Sequence, residues 1–189
     1  MKYMHPFQWI ARPAQRYVLP VSIVLALVVM VCLYVMGIPL QTRAAPQGII
    51  SFEFAGSLKN AEYMIESWGK DGPMYAGLNL GLDYLYLVLY SCALGLGCAV
   101  VARGFSNRCR FIAVPGIILS WVLILAAFLD AAENLALIQV LLGADAELWP
   151  WLAFICAVPK FIFVTVGFIY AAVGGIVCGI MKTCAVRKK

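Results

Sequence analysis

Apolar residues run through this chain in four long blocks separated by basic, glycine- or proline-containing stretches, a pattern that predicts four membrane-crossing helices. The blocks are Tyr17 to Gly37, Tyr75 to Ala102, Phe111 to Leu142 and Trp149 to Met181. A hydrocarbon core roughly 30 Å thick needs about 20 helical residues, so each block is long enough. The first is longer than a signal-peptide core, and Arg43 sits badly for a cleavage site near Ala44 and Ala45, so it is read as an uncleaved span. One long polar connection, Ile38 to Met74, follows it and is opened by Pro39 and Pro46. Within it Leu58, Ala61, Met64, Ile65 and Trp68 recur at helical spacing, with Lys59, Glu62 and Glu66 on the opposite side. Ser57 is suited to cap the start of that helix and Gly69 its end. The expected fold class is all-α: one integral membrane domain, a four-transmembrane-helix bundle with a short interfacial amphipathic helix between spans one and two.

The polar positions inside the blocks carry more information than the apolar ones. The third block holds Asp130, Glu133 and Asn134, spaced so that all three share one helix face. A carboxylate at mid-bilayer costs about 2.5 to 3.5 kcal/mol on insertion scales, so two in one span imply an environment that compensates them. The second block places Asn79, Asp83, Tyr86 and Tyr90 on one stripe, and the fourth carries Lys160 directly after Pro159. Pro159 removes a backbone donor and leaves the Ile155 carbonyl without its usual partner, so a bend is expected there. Counting 1.5 Å of rise per residue from the outer end of each span puts Asp83 about 12 Å in, Glu133 about 14 Å, Lys160 about 16 Å and Asp130 about 18 Å. These depths predict a shared polar pocket opening toward the non-cytoplasmic side. Because carboxyls outnumber the ammonium there, some of the acids are expected to be protonated, or a cation bound.

Composition strengthens the membrane reading: of 189 residues 64% are hydrophobic and only 12% charged. The net charge of +5 belongs to span ends, with Lys2, Arg12 and Arg16 before the first block, Arg103, Arg108 and Arg110 between the second and third, and Lys182, Arg187, Lys188 and Lys189 after the fourth. The connection from Ala144 to Glu147 has no Lys or Arg. This is the positive-inside pattern of an inner-membrane protein with both termini cytoplasmic, and it argues against a nucleic-acid surface. Seven cysteines without a CxxC spacing read as small apolar fillers. His5 is the lone histidine, so no metal site is expected, and no cofactor motif occurs. Small residues four apart, at Gly77 and Gly81, at Ala93 and Gly97, and at Ala171, Gly175 and Gly179, would allow close helix approach or a homo-oligomer.

The partners this implies are the lipid bilayer and a small amphiphilic or cationic ligand. Asn79, Asp83, Tyr86, Tyr90, Asp130, Glu133, Asn134 and Lys160 are the candidate binding residues, with Tyr84 as a further aromatic wall. Three other readings use the same residues. A lipid-modifying or isomerising enzyme would use one protonated and one ionised carboxyl as acid and base. A proton- or ion-coupled carrier would relay protons through the acids. Finally, the polar groups could serve only as interhelical glue.

Overall fold

A computed structural model describes residues 4–106 and 109–186, with side chains as far as residue 181. Lys2, Tyr3, Arg108 and residues 187–189, on which part of the topology reading rests, lie outside the described residues, and with them the side chains of Lys182 and Cys184. Every described element is helical. Four helices are long and apolar enough to cross a membrane, α1 (Arg12–Gly37), α4 (Gly72–Phe105), α5 (Arg110–Leu141) and α6 (Leu148–Val186), which makes this a multi-pass membrane protein. The connection from α1 to α4 holds a 3-10 turn (Ile38–Leu40) and two short helices, α2 (Ile49–Glu53) and α3 (Leu58–Ser67). The helices α1, α4 and α6 extend beyond the apolar blocks, because a helix entering the polar interface keeps its backbone bonds while an exposed side chain such as Arg16 reaches toward water. Pro20, Pro115 and Pro159 lie inside α1, α5 and α6, which continue through them.

The chain forms two compact units, and each long helix runs from one into the other. Residues 24–89 and 127–160 make up one, called the acidic unit for reasons given below; residues 1–23, 90–126 and 161–189 make up the other, the basic unit. In the acidic unit the connection packs onto the helices. Leu40, Phe52, Ala61 and Trp68 bury against Ala76 and Leu80 of α4, Ala136, Leu137 and Val140 of α5, and Ala153 of α6. The amphipathic reading of α3 holds: Leu58, Met64 and Ile65 join that core, while Lys59, Glu62 and Glu66 are exposed. Ser57 caps it, its side chain accepting from Asn60 N at 3.4 Å, and Gly69 follows the last turn at φ 70°.

The helix α2 was not anticipated. Its entrance needs Gly48, which adopts φ 60° and where a Cβ would lie 3.1 Å from the Gly37 carbonyl oxygen. In the basic unit, Ser120 Oγ donates to the Gly95 carbonyl at 2.8 Å, and a Cβ on Gly97 would touch that of Ala171 at 3.5 Å, so small residues do allow helices to close up there. The expected ridge at Gly77 and Gly81 does not act this way: a Cβ on either would meet nothing within 4 Å. Gly175 likewise faces open space. Outward faces are apolar, as a lipid solvent requires; the most apolar stretch of α4 is 56% buried against 11% for α1 and 6% for α6, so α4 is the inner helix.

Phe52 is fully buried and meets Trp68 edge-on with ring centroids 5.2 Å apart, whereas Phe111 is 93% exposed. Phe52→Ala is expected to cost about 3–5 kcal/mol and Phe111→Ala no more than about 0.5 kcal/mol in denaturant unfolding followed in detergent micelles. Equal losses would mean that the connection is not packed as described.

Candidate functional site

The site lies wholly within the acidic unit and is organised by Lys160. Helical spacing on α5 turns Asp130, Glu133 and Asn134 to one face, as read from the sequence, and α6 directs Lys160 at that face. The ammonium Nζ donates to Asp130 Oδ1 at 3.1 Å and to Glu133 Oε1 at 2.9 Å. It also stands 2.8 Å from Glu133 Oε2, but only the bond to Oε1 is aligned as a hydrogen bond, and Oε2 has no such partner among the described residues. A third acid completes the ring: Glu53, the last residue of α2, accepts from Nζ at 3.5 Å. None of these groups is solvated, with exposures of 0% for Glu133, 2% for Asp130, 6% for Lys160 and 9% for Glu53.

Glu53 is the functional residue that the sequence reading missed. Lys160 stands about 18 Å along α6 from its first residue, at 1.5 Å per residue, so the connection dips toward the membrane interior to meet it. Irregular backbone is tolerated at that level only where protein covers it, and Phe52, Glu53 and Ala55 are all buried. The signal was present in IISFEFAG, where one acid interrupts an apolar run between Gly48 and Gly56.

The electrostatics of the ring are unbalanced. Burial pushes the Glu53 carboxyl up from its ordinary value; the Lys160 charge and the neighbouring Glu133 oppose the rise, and the Asp130 charge adds to it. Among the described residues no set of three or more His, Cys, Asp or Glu is placed to hold a metal ion, and the ammonium stands where the carboxyls converge.

The remaining candidates divide. Asp83 on α4 is half-buried; it accepts from Asn134 Nδ2 at 2.6 Å and lies within electrostatic range of Asp130, Lys160 and Glu53. Tyr84 donates its hydroxyl to the Ala131 carbonyl at 3.1 Å, pinning α4 to α5 beside Asp130, and Tyr86 is half-buried within range of Asp83 and Asp130. Asn79 stands apart, giving its amide N–H to the Leu33 carbonyl of α1 at 2.8 Å. Tyr90 belongs to the basic unit, where it is buried. Lys160 is therefore paired with two acids of α5, joined by an acid from outside the spans.

Lys160→Met should destabilise the fold by about 3–5 kcal/mol at neutral pH, because it leaves the acids without their cation. Adding Glu133→Gln to that variant should recover part of the loss in the same unfolding measurement. The folded Glu53 carboxyl keeps its proton to a higher pH than the unfolded one, so the native state binds more protons above the ordinary value of 4.5 and stability falls as pH rises from there through the raised value. Glu53→Gln should flatten that limb when unfolding midpoints are compared across pH; an unchanged slope would remove Glu53 from the ring. No protein-family model, curated protein or solved structure matches the chain, so the chemistry of the site is the guide to its role.

Proposed function

We propose that the protein binds a small cation at the acids around Lys160, with protons as the resting occupants of the same carboxyls. The observation that carries this reading is the charge count: Glu53, Asp130 and Glu133, all buried, gather about a single ammonium, and half-buried Asp83 stands within electrostatic range of it. In a low-dielectric interior that surplus is untenable unless protons or a cation neutralise it, so proton content and cation binding are linked. Asp83 is the most accessible acid, with Tyr86 one turn further along the same helix face. An acid beside an aromatic face recognises an ammonium head by charge and by cation–π attraction, and the apolar flanks of the helices suit an alkyl tail. The favoured ligand class is therefore an ammonium-bearing amphiphile.

Basic residues at the ends of the spans favour both termini on the cytoplasmic side, which puts the acids nearer the opposite face of an inner membrane. A second reading rests on Glu53 and Glu133 meeting at one ammonium, that of Lys160. A neighbouring protonated and ionised carboxyl is the arrangement needed for acid and base steps on a lipid-like substrate.

The cation reading is tested with the full chain in lipid nanodiscs, adding decyltrimethylammonium below its micellar concentration and, separately, uncharged decyl glucoside. Near a hundredfold excess over Kd the cationic probe should stabilise the fold by about 2.7 kcal/mol and release protons into a weakly buffered medium. Asp83→Asn should keep the fold and lose that response. Equal effects of the two probes, or stabilisation without proton release, would reject proton-linked cation binding.

A further inference from the structure

A second group of charges, in the basic unit, has the opposite imbalance. All nine acidic residues of the chain, at positions 53, 62, 66, 71, 83, 130, 133, 145 and 147, lie in the acidic unit. The stretches of the basic unit contain no Asp or Glu, while Arg12, Arg16, Arg103 and Arg110 are among its described residues. A guanidinium there can find no carboxylate of its own unit.

One of these guanidiniums is held in a built setting. Gln15 is buried, and its Nε2 donates to the carbonyls of Ile10 at 2.8 Å and Phe7 at 3.3 Å. This fixes Oε1 to accept from Arg103 Nη2. Gln15 thus orients Arg103 without neutralising it, and most of the five guanidinium N–H groups remain for another partner. Arg12 is close enough for its charge to act on Arg103, and Arg103 acts in turn on His5. The imidazole of His5 is 6% exposed, and its buried Nδ1 has no hydrogen-bond partner among the described residues. Burial, and then the neighbouring Arg103, lowers its pKa from the usual value, which favours the neutral ring.

The position of the group identifies the anion. Arg12 is the first residue of one candidate span, and Arg103 lies just inside the end of another, Gly72–Phe105. Span ends lie at the level of the lipid headgroups, and the exposed Trp9 and Tyr17 nearby are residues typical of that zone. Forked guanidinium donors match the paired oxygens of a phosphate, and a buried imidazole N–H supplies a third donor.

We infer that His5, Arg12 and Arg103 form a binding site for the phosphate of an anionic lipid headgroup, with Gln15 as the residue that positions Arg103. Inorganic phosphate offers the same oxygens, so the test separates the two sources. His5 is the only histidine, and its imidazole nuclear magnetic resonance signals report the site without assignment. The full chain is compared in nanodiscs of phosphatidylcholine alone, of phosphatidylcholine with phosphatidylglycerol, and of phosphatidylcholine with added inorganic phosphate.

Phosphatidylglycerol should move the His5 signals and raise the imidazole titration midpoint, while inorganic phosphate should not. In native mass spectra, retention of phosphatidylglycerol over phosphatidylcholine should drop about tenfold in Arg12→Gln and in Arg103→Gln. Arg12 is exposed, so its variant keeps the test valid even if Arg103→Gln fails to fold, with helix content checked by circular dichroism. A His5 response that survives Arg12→Gln is only the surface potential of the disc and overturns the site. A response to inorganic phosphate but not to phosphatidylglycerol overturns the lipid assignment, and no response to either overturns both.

Discussion

A single desolvated ammonium, that of Lys160, is the constraint on which the arrangement of the acidic unit depends. An ion taken out of water loses several kcal/mol of hydration, which mutual attraction offsets only where geometry is good and the remaining polar atoms are satisfied. Lys160 gathers acids from two directions, Asp130 and Glu133 from α5 and Glu53 from the connection, which meets the condition of geometry while Glu133 Oε2 is left without a hydrogen-bond partner among the described residues. The relative register of α5 and α6 follows, because sliding either helix by one turn, about 5.4 Å, would separate the charges. The course of the connection follows as well. The helix α2 is only five residues long, too short to be stable alone, and it is held by Phe52 in the core and by Glu53 on the ammonium.

Around that centre the neutral contacts do a different job. Asn79 to the Leu33 carbonyl and Tyr84 to the Ala131 carbonyl join neighbouring helices without placing charge in the interior. Such bonds average well under 2 kcal/mol in membranes, and they suffice to fix helix neighbours. Three buried acids and a half-buried fourth are a costly way to obtain the same effect, since each demands a proton, a cation or the Lys160 ammonium. A protein needing only adhesion could use asparagine and tyrosine throughout, as it does at these positions. The excess of acid over base is therefore the observation that favours the proposed cation binding over interhelical glue.

Much of the architecture was legible in the sequence because the bilayer imposes length and composition on whatever crosses it. The four spans follow from apolar run length, and α3 from its 3.6-residue period, down to the cap at Ser57. The α5 face was equally legible, since Asp130, Glu133 and Asn134 have only one way to project from a helix. Two features were not. Glu53 sits in a stretch that looks like an ordinary connection, and a local pattern cannot show that the chain folds back toward the spans. The stripe from Asn79 to Tyr90 shares an angle but covers about 16 Å along the axis, so its ends lie in different surroundings: Asn79 bonds to α1 while Tyr90 falls in the other unit. Periodicity fixes which side of a helix a residue occupies, and height decides what it meets there.

The same physics explains both charged groups. Charge withdrawn from water must be balanced nearby, and a chain that places all its acidic side chains in one unit leaves the arginines of the other without a side-chain carboxylate of their own unit. At the carboxyls the deficit is positive, and Lys160 fills only part of it. At Arg103 the deficit is negative, and Gln15 offers a dipole where an anion is wanted. Had the sequence placed one aspartate beside Arg103, or a second lysine beside Glu133, each group would close on itself and need nothing more. On the two proposals made above, the surroundings supply the missing charges: protons or a cation for the acids, and the headgroup zone of the bilayer for the arginines.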